Sequence, residues 1–166
     1  MPTILVLDDD PYVPLLVESV VPATWTVLSA PNGLVGLDLL RQLLVKRQPL
    51  DVIILDLQMP GLDGYDTALR IRQLSSHMPL LILTGIEESA DPDLAAYATE
   101  LGSSLLRKGV PPDALGRGIQ AACMRPPEIH RTAAFARLQR KAQEAEATAR
   151  RTWLSASGCS RRIRCG

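Results

Sequence analysis

Long apolar segments are missing from this 166-residue chain, in which no run approaches the roughly 20 residues that a membrane-spanning helix needs. The N-terminus has neither a basic region nor a cleavage signature and enters a strand-like segment at once, so we expect a cytoplasmic protein. Charged residues form 22% and hydrophobic residues 46% of the chain, as in ordinary globular proteins. The length suits one domain with an appendage and is short for two.

Cysteine and histidine are also scarce. The three cysteines (Cys123, Cys159 and Cys165) are odd in number and lack the spacing of a metal site, so we expect reduced thiols. Neither His77 nor His130 has the neighbouring residues of a kinase phosphodonor helix, and we predict that both are exposed. These residues therefore indicate neither a thiolate metal site nor a histidine phosphodonor.

An excess of one charge is absent from the chain as a whole, but its two parts are oppositely charged. Of the 18 basic residues 10 follow Met124, whereas of the 18 acidic residues only 3 do. Residues 1–124 thus carry a formal charge of −7 and residues 125–166 a charge of +7. This asymmetry predicts a domain boundary between Met124 and Pro127.

The C-terminal part is rich in Ala, Arg, Gln and Glu, and its apolar residues follow a 3-4-3-4 spacing: Phe135, Leu138, Ala142, Ala145 and Ala149. This spacing predicts a helical extension or linker over 125–153, which could form a short coiled coil and hence a homodimer. Residues 154–166 form a basic tail without periodicity, which we predict to be disordered. Because this part lacks interleaved aromatic residues and a recognisable reading helix, we do not expect it to bind nucleic acid.

Residues 52–64, with the sequence VIILDLQMPGLDG, organise the rest of the chain. A short, unbroken, β-branched apolar run leads into Asp56, and a loop rich in proline and glycine follows. Such a run is typical of a strand that is buried on both faces of a parallel sheet. An acid at its carboxyl end lies at the rim where open α/β folds bind ligands, so Asp56 is the central candidate residue.

Strand-like and helix-like segments alternate along residues 1–124. The predicted strands are Thr3–Leu7, Trp25–Ala30, Val52–Leu55, Leu80–Leu83 and Ser103–Arg107. Predicted helices begin after Pro11 and after Asn32 and then cover Tyr65–Ser75, Asp91–Leu101 and Pro112–Met124. Asn32 is suited to cap the second helix, whose predicted apolar face is Leu34, Leu37, Leu40, Leu43 and Leu44. This alternation predicts an α/β fold with a doubly wound, five-stranded parallel sheet and helices on both faces.

The carboxyl ends of the strands would bring chemically active side chains to one rim: Asp8, Asp9, Asp10, Asp56, Thr84 and Lys108. Clustered carboxylates repel one another, and a cation is needed to keep them ionised together. Mg²⁺ fits, because it prefers one or two carboxylates, waters and a phosphate. A hydroxyl and an ammonium group would suit the remaining oxygens of a phosphoryl group. This combination could place a phosphoryl group on an aspartate.

These pieces resemble the receiver domain of response regulators in two-component signalling, the CheY-like family. The resemblance rests on ILVLDDD at 4–10, DLQMPGLDG at 56–64, LTG at 83–85 and Lys108, in family order and at family spacing. It covers residues 1–124 and implies a flavodoxin-like strand order, 2-1-3-4-5. It also implies a phosphoacceptor signalling domain rather than an enzyme, with a sensor histidine kinase or a phosphotransfer protein as its partner.

The resemblance further implies a Mg²⁺ site. Asp9 would be a direct ligand of the metal, and Asp8 would act through water. Asp56 and the backbone carbonyl of Gln58 would complete the protein ligands.

Other roles concern the phosphoryl group itself, which Asp56 would accept from a phosphohistidine. Thr84 would donate a hydrogen bond to it, and Lys108 would form an ion pair with it. The small Gly85 would leave room for the phosphoryl donor. Asp10 is better explained as an exposed acid that opens the first helix, where it is favourable to the helix dipole.

The sequence departs from the family pattern at two positions. Gly109 follows Lys108 where the family usually has proline. The glycine leaves the loop backbone freer than a proline would. Leu105 replaces an aromatic residue that usually moves inward on phosphorylation, so a leucine would have to repack instead. These departures leave open a receiver-like interaction module that is not phosphorylated.

A phosphatase of the haloacid-dehalogenase type is a further alternative. Asp8-x-Asp10, Thr84 and Lys108 formally satisfy its pattern. That family also needs a late acid pair and usually a cap domain, which this chain does not supply. The Met-Pro-Gly loop after Asp56 favours the receiver.

Overall fold

The computed structural model describes residues 1–86 and 91–124. In them, strands and helices alternate in the order β1 (Thr3–Leu7), α1 (Tyr12–Val20), β2 (Thr26–Ala30), α2 (Gly33–Val45), β3 (Val52–Leu55), α3 (Gly64–Leu74), β4 (Leu80–Thr84), α4 (Leu94–Glu100), β5 (Ser104–Arg107) and α5 (Pro112–Met124). The strands form one parallel sheet in the order β2-β1-β3-β4-β5. The predicted fold class and strand order are confirmed. The predicted helical extension at 125–153 and the tail at 154–166 lie outside the described residues.

The three central strands are buried along their whole length, as their unbroken apolar sequences predict. One face of the sheet is covered by α2, α3 and α4, and the other face is covered by α1 and α5. Leu7 pairs with Leu55, and Leu55 pairs with Ile82. The residues that follow these strands therefore meet at one rim, and the Asp56 N–H still donates to the Leu7 carbonyl oxygen at 2.9 Å.

The buried face of α2 differs from the prediction. Leu34 and Leu44 are exposed by 62% and 38%, whereas Gly33 and Gly36 are buried. A Cβ at Gly36 would lie 2.3 Å from Leu7 Cδ2, so the glycine allows α2 to approach the sheet closely. The buried face of α2 therefore includes Gly33 and Gly36. The predicted cap is confirmed, because Asn32 Oδ1 accepts from the Val35 N–H at 3.0 Å.

Helix α4 is shorter than predicted, because Asp91 lies before it rather than inside it. The Asp91 carboxylate accepts from the Asp93 N–H at 3.2 Å and from the Tyr65 hydroxyl. The carboxyl end of α4 is tied to α3 by buried Arg72, whose Nε donates to the Leu101 carbonyl oxygen at 2.7 Å. Burial lowers the pKa of Arg72 to about 10, so the guanidinium stays charged.

The structure also tests the predictions made for the histidines, the cysteines and membrane-spanning segments. His77 is exposed, as predicted, and Cys123 is a free, partly buried thiol on α5. His130, Cys159 and Cys165 lie outside the described residues. No helix in the described part of the chain is long and apolar enough to cross a membrane.

Candidate functional site

Three carboxylates converge where β1 and β3 end. Asp8, Asp9 and Asp56 each place an oxygen within 4.8 Å of the others. Asp8 and Asp56 are buried, and Asp9 is exposed. The strand register explains this proximity, because Asp8 and Asp56 directly follow the paired residues Leu7 and Leu55. The rim is therefore strongly negative at one point.

Lys108 supplies the cation of this cluster. Its Nζ lies 2.7 Å from Asp56 Oδ2, 3.0 Å from Asp8 Oδ1 and 2.8 Å from Asp8 Oδ2. Burial would lower the pKa of the Lys108 ammonium, but the hydrogen bonds with both carboxylates outweigh it, and the pKa is raised. The lysine is thus held protonated between two acids.

The backbone around Lys108 aims its side chain at the cluster. Its N–H donates to the Thr84 carbonyl oxygen at 2.9 Å and so extends the pairing of β5 with β4. Gly109 has a φ of 87°, which side chains other than glycine rarely adopt. Gly109 thus gives the loop a positive φ that the usual proline could not adopt.

The two oxygens of Asp8 differ in their contacts. Its Oδ1 accepts from the Asp10 N–H at 2.9 Å, but its buried Oδ2 accepts no hydrogen bond from any residue that the structure describes. The contact of Oδ2 with Lys108 Nζ, at 2.8 Å, is an ion pair. Burial raises the pKa of the Asp8 carboxyl, and the Lys108 hydrogen bond offsets this only in part. Hard, oxygen-seeking cations such as Mg²⁺ fit this donor set.

The turn after β3 orients the central aspartate. The Gln58 N–H donates to Asp56 Oδ1 at 3.0 Å, so one Asp56 oxygen faces this turn and the other faces Lys108. The backbone carbonyl of Gln58, the predicted fourth metal ligand, belongs to the same turn. Both oxygens of Asp56 therefore have defined directions.

Thr84 and Gly85 border the site on the side of β4. Thr84 is fully buried, and its Oγ1 accepts from the Ile86 N–H at 3.3 Å. A Cβ on Gly85 would have the Gln58 Oε1 at 3.5 Å as its nearest described neighbour. The described residues thus leave room for a methyl group at Gly85.

Asp10 is turned away from the other acids. It is exposed, and its Oδ1 accepts from the Tyr12 N–H, the first of α1, at 2.9 Å. This contact agrees with its interpretation as an acid that opens the helix. It gives no support to an Asp8-x-Asp10 pair of the phosphatase type.

Sequence reasoning did not single out a second group of residues close to the site. Helices α3 and α4 are joined by the side chains of Tyr65, in the first turn of α3, Asp91, before α4, and Tyr97, on α4. No local signal could have found them, because Tyr65 and Tyr97 are 32 positions apart. Leu105, at the position of the usual aromatic residue, is partly buried against the same apolar cluster.

Asp8→Asn is expected to raise the free energy of unfolding by about 1 kcal/mol when divalent metal is absent, because it removes one of two buried like charges. Urea unfolding in EDTA measures this change, and Asp10→Asn, at an exposed acid, is the matched control without gain. Added Mg²⁺ should stabilise the unmodified protein more than the Asp8 variant. A variant less stable than the unmodified protein in EDTA would contradict the charge argument.

Comparison with known proteins agrees with this geometry. A family model described as "Response regulator receiver domain" matches residues 4–120. The transcriptional regulatory protein AfsQ1 of Streptomyces coelicolor is 34% identical over 92 residues, which cover 55% of this chain and 38% of AfsQ1. For the DNA-binding dual master transcriptional regulator RpaA of Synechocystis, identity is 36% over 94 residues, with coverage of 55% and 37%. The chain therefore spans less than half the length of these relatives.

Solved structures extend the similarity to the fold. A response regulator receiver domain protein from Clostridium thermocellum is 30% identical, with a TM-score of 0.58 and coverage of 74% of this chain and 94% of that one. The chemotaxis protein CheY4 of Vibrio cholerae has a TM-score of 0.60 at 24% identity and covers 74% of this chain and 98% of its own. At that identity the likeness concerns the fold alone.

Proposed function

Because this chain belongs to the response-regulator receiver family, we propose that Asp56 accepts a phosphoryl group from a phosphohistidine. The donor would be a sensor histidine kinase or a phosphotransfer protein in the cytoplasm. The observation that carries this proposal is the contact of the Lys108 ammonium with Asp56, at 2.7 Å, inside a cluster of three carboxylates. This arrangement supports the proposal, because Asp56 would be the nucleophile and the neighbouring charge would stabilise its product.

In the proposed step, an Asp56 oxygen attacks phosphorus while the bond from phosphorus to the imidazole nitrogen breaks. The electron pair of that bond stays on the imidazole, and an aspartyl phosphate forms. Lys108 can then pair with a phosphoryl oxygen while keeping Asp8, because an ammonium group has three donors. The Thr84 hydroxyl would donate to another phosphoryl oxygen, and the small Gly85 would leave room for the donor.

Asp8, Asp9, Asp56 and the Gln58 carbonyl would hold Mg²⁺ in this site. When bound, the ion would neutralise charge on the transferring phosphoryl group. The three clustered carboxylates support this assignment, as does the buried Oδ2 of Asp8, which is ion-paired with Lys108 but accepts no hydrogen bond from any described residue. The chain would then act only on its own Asp56, as a signalling domain and not as an enzyme with a separate substrate.

The output would be a change of conformation. Phosphorylation would favour one of two existing conformers of the α4–β5–α5 face. Through α5 the change could reach residues 125–153 and alter a dimer contact or a partner contact there.

Intact-mass analysis after incubation with Mg²⁺ and acetyl phosphate tests this function. We expect the unmodified protein to gain one labile phosphoryl group and Asp56→Asn to gain none. No adduct on the unmodified protein, with Mg²⁺ binding verified separately, would favour the unphosphorylated interaction module. An adduct that survives in Asp56→Asn but is lost in Asp8→Asn would instead indicate phosphatase-like chemistry.

A further inference from the structure

Two tyrosines and an aspartate join the start of α3 to α4. The Tyr65 hydroxyl donates to Asp91 Oδ2, and the Tyr97 hydroxyl donates to the Tyr65 backbone carbonyl oxygen at 2.7 Å. The two rings meet edge to face, with centroids 4.8 Å apart and an interplanar angle of 60°. Tyr97 is buried, and Tyr65 packs against the same apolar cluster. We call Tyr65, Asp91 and Tyr97 the tyrosine bridge.

The tyrosine bridge follows directly after a residue that packs on the backbone of Asp56 and Leu57. Gly64, which precedes Tyr65, lies so close to β3 that a Cβ on it would be 2.3 Å from Leu57 Cα and 2.7 Å from the Asp56 carbonyl oxygen. At such close packing, a shift of the Asp56–Leu57 backbone displaces the first turn of α3 as well. Tyr65 belongs to that turn.

The position that usually carries a moving aromatic ring holds Leu105 in this chain. A leucine side chain has no hydroxyl and cannot exchange one polar partner for another. The tyrosine bridge does have hydroxyl groups that can exchange partners, and it joins α4 to the first turn of α3, which packs beside Asp56. Burial raises the pKa of both tyrosines, so their hydroxyls remain donors at neutral pH.

We propose that the tyrosine bridge is the positioning element through which α4 follows the phosphorylation state of Asp56. This inference rests on the proposed function. Coupling between protein sites typically amounts to about 5- to 150-fold in an equilibrium constant. A single hydrogen bond contributes about 2- to 10-fold, so its loss should weaken the coupling measurably.

Hydrogen exchange of the α4 amides (Leu94–Glu100) tests the proposal in the full chain with Mg²⁺. Beryllofluoride, a stable mimic of a phosphoryl group on a carboxylate, is the probe. We expect it to change the α4 exchange rates of the unmodified protein by about 5-fold or more. In Tyr97→Phe this fold-change should be smaller by a factor of about 3 or more. Tyr12→Phe, on a tyrosine that is 75% exposed on α1, is the matched control and should respond fully.

Two checks separate coupling from loss of structure or of binding. Beryllofluoride must still raise the melting temperature of Tyr97→Phe, since the variant keeps every site residue. Tyr65→Phe removes only the contact with Asp91 and serves if Tyr97→Phe does not fold. A full α4 response in both variants would overturn the bridge and leave the proposed function intact. If the unmodified protein neither binds beryllofluoride nor gains a phosphoryl group, the proposed function fails, and the bridge fails with it.

Discussion

Gly64→Ala is expected to lower the free energy of unfolding by about 3 kcal/mol or more. The added methyl group would meet Leu57 Cα at 2.3 Å, the Leu57 carbonyl oxygen at 2.6 Å and the Asp56 carbonyl oxygen at 2.7 Å. These are backbone atoms, so no side-chain rotation can make room for the methyl group. Relief requires the start of α3 to move away from the carboxyl end of β3.

Equilibrium urea unfolding measures the effect, and Gly85→Ala is its control. There the nearest described atom to a new Cβ would be Gln58 Oε1 at 3.5 Å, an ordinary van der Waals contact. We therefore expect Gly85→Ala to retain nearly the full stability. Equal stability of Gly64→Ala and the unmodified protein would show that α3 can retreat from β3 without cost, and would also weaken the proposed coupling to the tyrosine bridge.

The central strands and their terminal acids were predictable because the relevant signals are local. An unbroken apolar run has few structural options besides a doubly covered strand, and the register of a parallel sheet brings Asp8 and Asp56 together. The turn after Asp56 and the cap at Asn32 are encoded within a few residues. The strand alternation also predicted Lys108 at this rim, and the family resemblance predicted its ion pair with the phosphoryl group, but its direct contact with Asp56, 52 positions away, was not predicted.

Other features depend on contacts that are distant in the sequence. The apolar pattern of α2 admits Leu34 as readily as Leu37, and the choice is made by the approach of Gly36 to Leu7. Likewise, Asp91 resembles the first acid of a helix until its carboxylate is seen to bind Tyr65. Tertiary packing overrides local preference at both places.

Lys108→Met is expected to have two effects, on stability and on phosphorylation. In EDTA the substitution leaves buried Asp8 and Asp56 without their cation, which should lower the free energy of unfolding by about 2 kcal/mol. Mg²⁺ should restore part of this loss, because it binds the folded cluster and not the unfolded chain. Arg117→Met, which breaks the exposed ion pair with Asp113, is the control and should leave stability unchanged within error.

The same Lys108 variant should accept a phosphoryl group from acetyl phosphate about 100-fold more slowly, because it lacks a donor aimed at the developing charge. Lys108→Arg separates charge from position. It restores a cation, and therefore most of the stability in EDTA, but its planar fork differs from the ammonium geometry that contacts both carboxylates. Full recovery of stability with a rate that stays low would show that placement of the donor matters for transfer, whereas recovery of both would reduce the role of Lys108 to its charge.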